Sequence, residues 1–171
     1  MKNWIDIYTD GATSGNGTKN ARGGWAYVFY LDSGEQIKDY GGELNTTNNR
    51  MELTAVIKAI QAARALCGEK IDLHIISDSA YIINSYEQRW YENWERNGWI
   101  NSARKPVANR DLWEILIPYF RDSHNLFIKI KGHSGHEENE LVDKLAKRGA
   151  VEAKKEPNPY TDGWTNEFLN E

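Results

Sequence analysis

The sequence predicts an α/β domain: a mixed five-stranded sheet, antiparallel over its first three strands and flanked by helices. Two observations carry this. The elements run strand, strand, strand, helix, strand, helices, strand, helix, with turn signals between the first three strands. The chain has 171 residues, 40% of them hydrophobic, which fits one domain around one core.

Ile5 to Thr9 alternates apolar and polar residues, as a half-buried strand does, and Asp10-Gly11 is expected to end it. Asp10 then shares a face with Asp6 and Tyr8, opposite Ile5, Ile7 and Thr9, which allows it to be accessible without disrupting the core. Gly15 to Lys19 is turn-rich. Gly24 to Leu31 is the second strand, Ser33-Gly34 a turn, and Gln36 to Leu44 the third strand. A helix follows over Arg50–Leu66, with Leu53, Val56, Ile57 and Ile60 on its apolar face and Gly68 just past its end. Ile71 to Ser77 is β-rich. Helical pattern resumes over Ser79–Arg96, and Asn97–Asn109 is irregular. Asp111–Phe120 is a short helix with Pro118 near its end. Asn125–Lys131 is a strand with Leu126, Ile128 and Ile130 in alternation. Glu140–Ala153 is the last helix. Pro157 and Pro159 break the pattern, so the division is a folded domain over 1–153 and a tail over 154–171.

Composition excludes several classes. No apolar run is long enough to span a bilayer, and the first residues do not form a signal peptide. Cys67 is the only cysteine, which excludes an intrachain disulfide and a thiolate zinc cage and suits the cytoplasm. The net charge of −4 argues against a nonspecific nucleic-acid coat protein, though not against a local basic patch.

Four acidic residues invite a chemical reading, and each has a plainer one. Asp10 fits a turn aspartate. Glu52 fits a capping-box-like loop if Asn49 caps its helix. Asp78 fits the cap of the helix that starts at Ser79, yet it also ends a strand, where open sheets place their sites. Asp143 fits an ion pair with Lys147 one turn on. Read together they offer hard oxygen ligands able to hold two cations against a phosphate.

Their flanks decide between the readings. Thr9-Asp10-Gly11, Thr47-Asn48-Asn49-Arg50-Met51-Glu52-Leu53, Ser77-Asp78-Ser79, Lys105-Pro106-Val107 with Asp111-Leu112-Trp113, and Lys131-Gly132-His133-Ser134-Gly135-His136-Glu137-Glu138-Asn139-Glu140 occur in this order. In these motifs the chain from Ile5 to Ala150 resembles type 1 ribonuclease H of the bacterial kind. The resemblance implies the ribonuclease H-like fold and hydrolysis of the RNA strand of an RNA–DNA hybrid, leaving 5′-phosphate and 3′-hydroxyl ends. It implies two Mg2+ ions, with Mn2+ as a substitute. Asp10 would bridge both ions, Asp143 would complete the one that activates water, and Glu52 and Asp78 the one facing the leaving 3′ oxygen. His133 would shuttle a proton or help product leave, as its ordinary pKa near 6.5 permits. Glu140 resembles a residue that aids release, although an acid is also favourable where a helix starts. His136 is the weaker histidine.

The resemblance also implies the substrate contacts. Asn48 and Asn49 would lie along the RNA strand, and Asn16 and Thr47 would hold a phosphate of the DNA strand. The Trp90–Trp113 segment resembles the family's substrate-binding protrusion. Trp94 and Trp113 each repeat at helical spacing with other apolar residues and are expected in the core, which leaves Trp90 and Trp99 for the substrate. Gln88–Asp111 carries five bases and three acids, a net of +2 on an acidic chain. The chain departs from the family at Ala80, where bacterial members often carry a glutamine that touches RNA, and in a longer loop after Asn16. The partner implied is a hybrid duplex, with no membrane, and a monomer is expected. Two alternatives differ in kind: a catalytically silent hybrid-binding protein, against which all four carboxylates speak, and the ribonuclease H domain of a reverse-transcriptase polyprotein, against which a start at Met1 speaks.

Overall fold

The computed structural model describes residues 3–16, 18, 20–131 and 136–154. Its strands are β1 (Trp4–Ser14), β2 (Arg22–Tyr30), β3 (Gln36–Leu44), β4 (Asp72–Ser77) and β5 (Asn125–Lys129). Its helices are α1 (Asn48–Cys67), α2 (Ala80–Glu87), α3 (Trp90–Asn97), α4 (Arg110–Arg121) and α5 (Glu137–Glu152). The strands form one sheet in the order β3-β2-β1-β4-β5. β1 pairs antiparallel with β2 and parallel with β4, so the antiparallel meander and the parallel half meet at β1.

The main core lies on the face covered by α1 and the α2–α4 region, with Ile7, Leu53, Ile60, Ile75, Trp113 and Leu116 fully or almost fully buried. Trp94 belongs to this core too, as its helical spacing predicts. On the other face α5 lies over β1, β2 and β3 and closes a smaller cluster of Ala26, Val28, Val142 and Ala146.

Two differences from the sequence expectation concern strands. β1 does not end at Asp10-Gly11 but pairs with β2 as far as Ser14. Gly11 serves close packing, not a turn: a Cβ there would lie 2.5 Å from the Glu52 nitrogen and 2.7 Å from the Met51 carbonyl carbon. In β5 the alternation of Leu126 and Ile128 is real but faces outward, and both are exposed. Register with β4 aligns Phe127 with Ile75 in the core, where its ring meets Phe120 edge-on at 4.8 Å. The bulkier aromatic takes the inner position, and α5 does not extend over the outer one.

The helical stretch from Ser79 to Arg96 is also broken. α2 ends at Glu87, and Arg89 adopts a left-handed conformation (φ 54°) before α3 begins. That break turns α3 away and lets Trp94 reach Trp113, ring centroids 5.1 Å apart. Among the described residues, no helix is long and apolar enough to cross a membrane.

Candidate active site

Three elements deliver three carboxylates to one point. Asp10 comes from mid-β1, Glu52 from the second turn of α1, and Asp78 from the residue after β4. Each offers an oxygen within 4.8 Å of the others. Asp10 is 7% exposed and Glu52 4%, so Asp10 does not take the accessible position that strand alternation allows. The reason is Gly11, which lets α1 settle directly on β1.

The plainer readings of Glu52 and Asp78 fail on one physical ground: a neighbouring hydroxyl already caps each helix. Thr47, not Asn49, caps α1, its hydroxyl oxygen accepting from the Arg50 N–H at 3.2 Å. That puts Glu52 beyond the third helical position, out of a capping box. Ser79, not Asp78, caps α2, accepting from the Ile82 N–H at 3.3 Å. Neither carboxylate is needed for a helix end.

The plainer reading of Asp143 holds. Lys147 donates to its carboxylate at 2.9 Å, one turn along α5. Asp143 nevertheless faces the same pocket, which holds about 460 Å3 and is lined also by Asp10, Glu52, Asp78, Asn139 and Glu140. Close glycine packing sets its helix there: a Cβ on Gly149 would lie 2.1 Å from the Gly41 carbonyl oxygen, so α5 rests against β3.

The electrostatics of the cluster are adverse without a cation. Burial, and then the charge of Asp78, push the Asp10 carboxyl up to about 7, against the pull of a bond to Glu52 and of the Gly11 N–H that donates to it at 2.9 Å. Burial, and then Asp10 and Asp78, hold Glu52 well above the usual carboxylate range. Glu52 Oε2 is buried and finds no hydrogen-bond partner among the described residues. An unsatisfied buried carboxylate oxygen is costly. The donor set is all carboxylate oxygen, which suits a small hard divalent ion. The residues therefore fit a divalent metal.

A larger cleft of about 1130 Å3 adjoins this pocket. Asn16, Thr47, Asn48, Asn49 and Trp90 all line it, and Asn48, Asn49 and Tyr81 line both cavities. Asn16 accepts from the Asn48 N–H at 3.2 Å and so is tied to the start of α1. The first turn of α1 carries no acid, which leaves its positive end uncompensated. Trp99 stands apart: its ring lies 4.9 Å from the Arg110 guanidinium, and it borders a separate hollow with Glu95, Glu114 and Arg121. Ala80 lines the acidic pocket. His133 lies outside the described residues, as does the tail from residue 155.

Sequence reasoning passed over two contributors. Arg50 forks onto Asp111 at 3.0 and 2.8 Å and also reaches Glu43, clamping the start of α1 to α4. Its place between Asn49 and Met51 in the quoted motif was the available signal. Asn139 is buried in the acidic pocket, where no periodicity marks it.

Residues 2–151 match the RNase H family. A ribonuclease H of Syntrophomonas wolfei is 49% identical over 150 residues, covering 87% of this chain and 97% of the relative. A ribonuclease H of Oleidesulfovibrio alaskensis is 41% identical over 159 residues, covering 93% and 98%. The crystal structure of LC9-RNase H1, described as a type 1 RNase H with the type 2 active-site motif, superposes with a TM-score of 0.72 at 27% identity, over 90% of this chain and 74% of that one.

Proposed function

The chain belongs to the RNase H family, and from that premise we propose that it hydrolyses the RNA strand of RNA–DNA hybrids with two divalent cations, leaving 5′-phosphate and 3′-hydroxyl ends. One observation supports the metal-dependent reading above the rest: three carboxylates from separate elements converge on a buried point, with one oxygen unpartnered among the described residues. A phosphodiester is an anion and would be repelled by these residues alone. Bound Mg2+, or Mn2+ in its place, would reverse the local sign, favour deprotonation of an attacking water and stabilise the leaving oxygen.

The protein's own part is to hold and orient. Asp10, Glu52 and Asp78 are fixed by β1, α1 and β4 and would keep their ligand oxygens aimed without reorganisation. Asp143, at the pocket's rim, would be the fourth ligand. His133, four residues past the end of β5 in sequence, would move a proton or assist departure of product.

The cleft supplies the substrate side. Asn48 and Asn49 border both cavities, so one helix start would touch the RNA strand next to the acids. Asn16 and Thr47 sit at the acid-free end of α1, which suits a DNA-strand phosphate. Trp90 would carry sugar and base surface across the cleft. Trp99 would contact the duplex only from the protrusion's other flank. We assign catalysis to residues 1–153, take 154–171 as a tail, and place the protein in the cytoplasm as a monomer.

A substrate panel tests the proposal: hybrid, single-stranded RNA and duplex DNA, each with Mg2+. Cleavage confined to the hybrid's RNA strand, with products that a ligase accepts directly, supports it. Equal cleavage of single-stranded RNA refutes it.

A further inference from the structure

Lys147 has no part in the reading above, yet its ammonium sits 2.9 Å from the carboxylate of Asp143. Asp143 faces the acidic pocket, but among the described residues only Asp10, Glu52 and Asp78 form the tight group of ligand oxygens. The fourth carboxylate is instead held by a lysine on its own helix. We propose that Lys147 is a positioning residue, the resident counter-cation of Asp143, and that a divalent ion must displace it to recruit this carboxylate. The inference rests on the reading of the pocket as a divalent-cation site.

Two effects of Lys147 oppose each other, and their sizes decide the sign. By fixing the Asp143 rotamer, the lysine pre-orients a ligand. By neutralising that carboxylate and standing beside the pocket, it competes with the incoming ion. The lysine side chain is 64% exposed and the aspartate 29%. An exposed pair one turn apart orders its partners only weakly. A unit charge acting on a doubly charged ion beside a partly desolvated carboxylate is the larger effect. Lys147 therefore weakens cation binding, and losing it tightens binding.

Calorimetric titration of the full chain with MgCl2 alone and MnCl2 alone, at fixed ionic strength and without nucleic acid, tests this. Lys147→Met and Lys147→Gln should each bind roughly two- to five-fold tighter than the parent, the range an exposed pair gives. Lys147→Arg keeps the cation and should bind like the parent. Lys144→Met is the control: Lys144 is an exposed lysine next to Asp143 in sequence, whereas the ion pair of Asp143 is with Lys147, one turn on. It should change little. Circular dichroism and Tm confirm folding of every variant. Unchanged or weaker binding in both neutral variants would overturn the role of Lys147 alone. Equal tightening by Lys144→Met would reduce it to a general field effect and overturn it too. Absence of divalent binding by the parent would overturn the cation site itself, and Lys147 with it.

Discussion

Asp10 and Glu52 meet in the interior because Gly11 lets a strand and a helix touch: a Cβ at Gly11 would lie 2.5 Å from the Glu52 nitrogen. Burial pushes both carboxyls upward, and so does the charge of Asp78 beside them; Asp10 raises Glu52 further, while the bond from Glu52 pulls Asp10 back. The site therefore holds an electrostatic cost that a bound cation would relieve.

That cost should be visible in stability against pH. The Asp10 carboxyl is pushed up to about 7 in the fold from an ordinary 3.8. A group raised in this way contributes stability that is full below its unfolded value and is lost as pH rises through its folded value. The chelated protein should thus lose stability between about pH 4 and pH 7, on the order of a few kcal/mol. Asp10→Asn should flatten that slope and leave the variant more stable than the parent at pH 8. Urea unfolding at pH 5 and pH 8 in chelator reads this directly. Parallel slopes in the two proteins would contradict it.

Asp10→Asn and Asp78→Asn should each abolish turnover while hybrid binding survives. Amide replacement keeps the shape and removes a hard anionic ligand. Binding by fluorescence anisotropy beside single-turnover cleavage separates the two. Near-parental turnover at ordinary Mg2+ in either variant would show that its carboxylate is not a ligand.

His133→Ala should be milder, a drop in rate with cation binding intact, because a residue with a pKa near 6.5 serves proton transfer better than it serves a hard ion. Calorimetric loss of cation binding in this variant would make His133 a ligand instead.

The protrusion's charges predict a shallow salt dependence of hybrid affinity, since log affinity falls by about 0.9 per log unit of salt for each phosphate neutralised. Reversal of Glu92 should tighten binding and steepen the slope, because Glu92 pairs with Arg89 at 3.6 Å and with Arg96 at 3.9 Å, and Arg96 lines the cleft. Glu95 is different. It faces the separate hollow and accepts from both terminal guanidinium nitrogens of Arg121. Glu95→Lys should cost stability and leave the slope nearly unchanged. Affinity across a salt series for both variants checks the contrast.

Much of this was legible in the chain. The order of elements, the meander and β3 from Gln36 to Leu44 follow from local pattern. The flanking motifs single out Asp10, Glu52 and Asp78, which converge, and Asp143, which lines the same pocket. What local pattern missed has a common cause: tertiary contact overrides it. Gly11 reads as a turn and acts as a packing contact. Phe127, not Leu126 and Ile128, turns inward because register with β4 decides the side, and among the described residues no helix packs over β5's outer face. Asn49 and Asp78 are good caps, but Thr47 and Ser79 stand closer to the helix ends formed. The Arg50–Asp111 clamp joins residues 61 apart, beyond the reach of any periodicity.

The most direct measurement is cleavage of a hybrid labelled on its RNA strand, followed with Mg2+ titrated in and then removed by chelator. Convergence of Asp10, Glu52 and Asp78 predicts RNA-strand cleavage that rises with Mg2+, stops in excess chelator and returns when the ion is restored. Undiminished cleavage in excess chelator would contradict a cation-dependent site at these carboxylates.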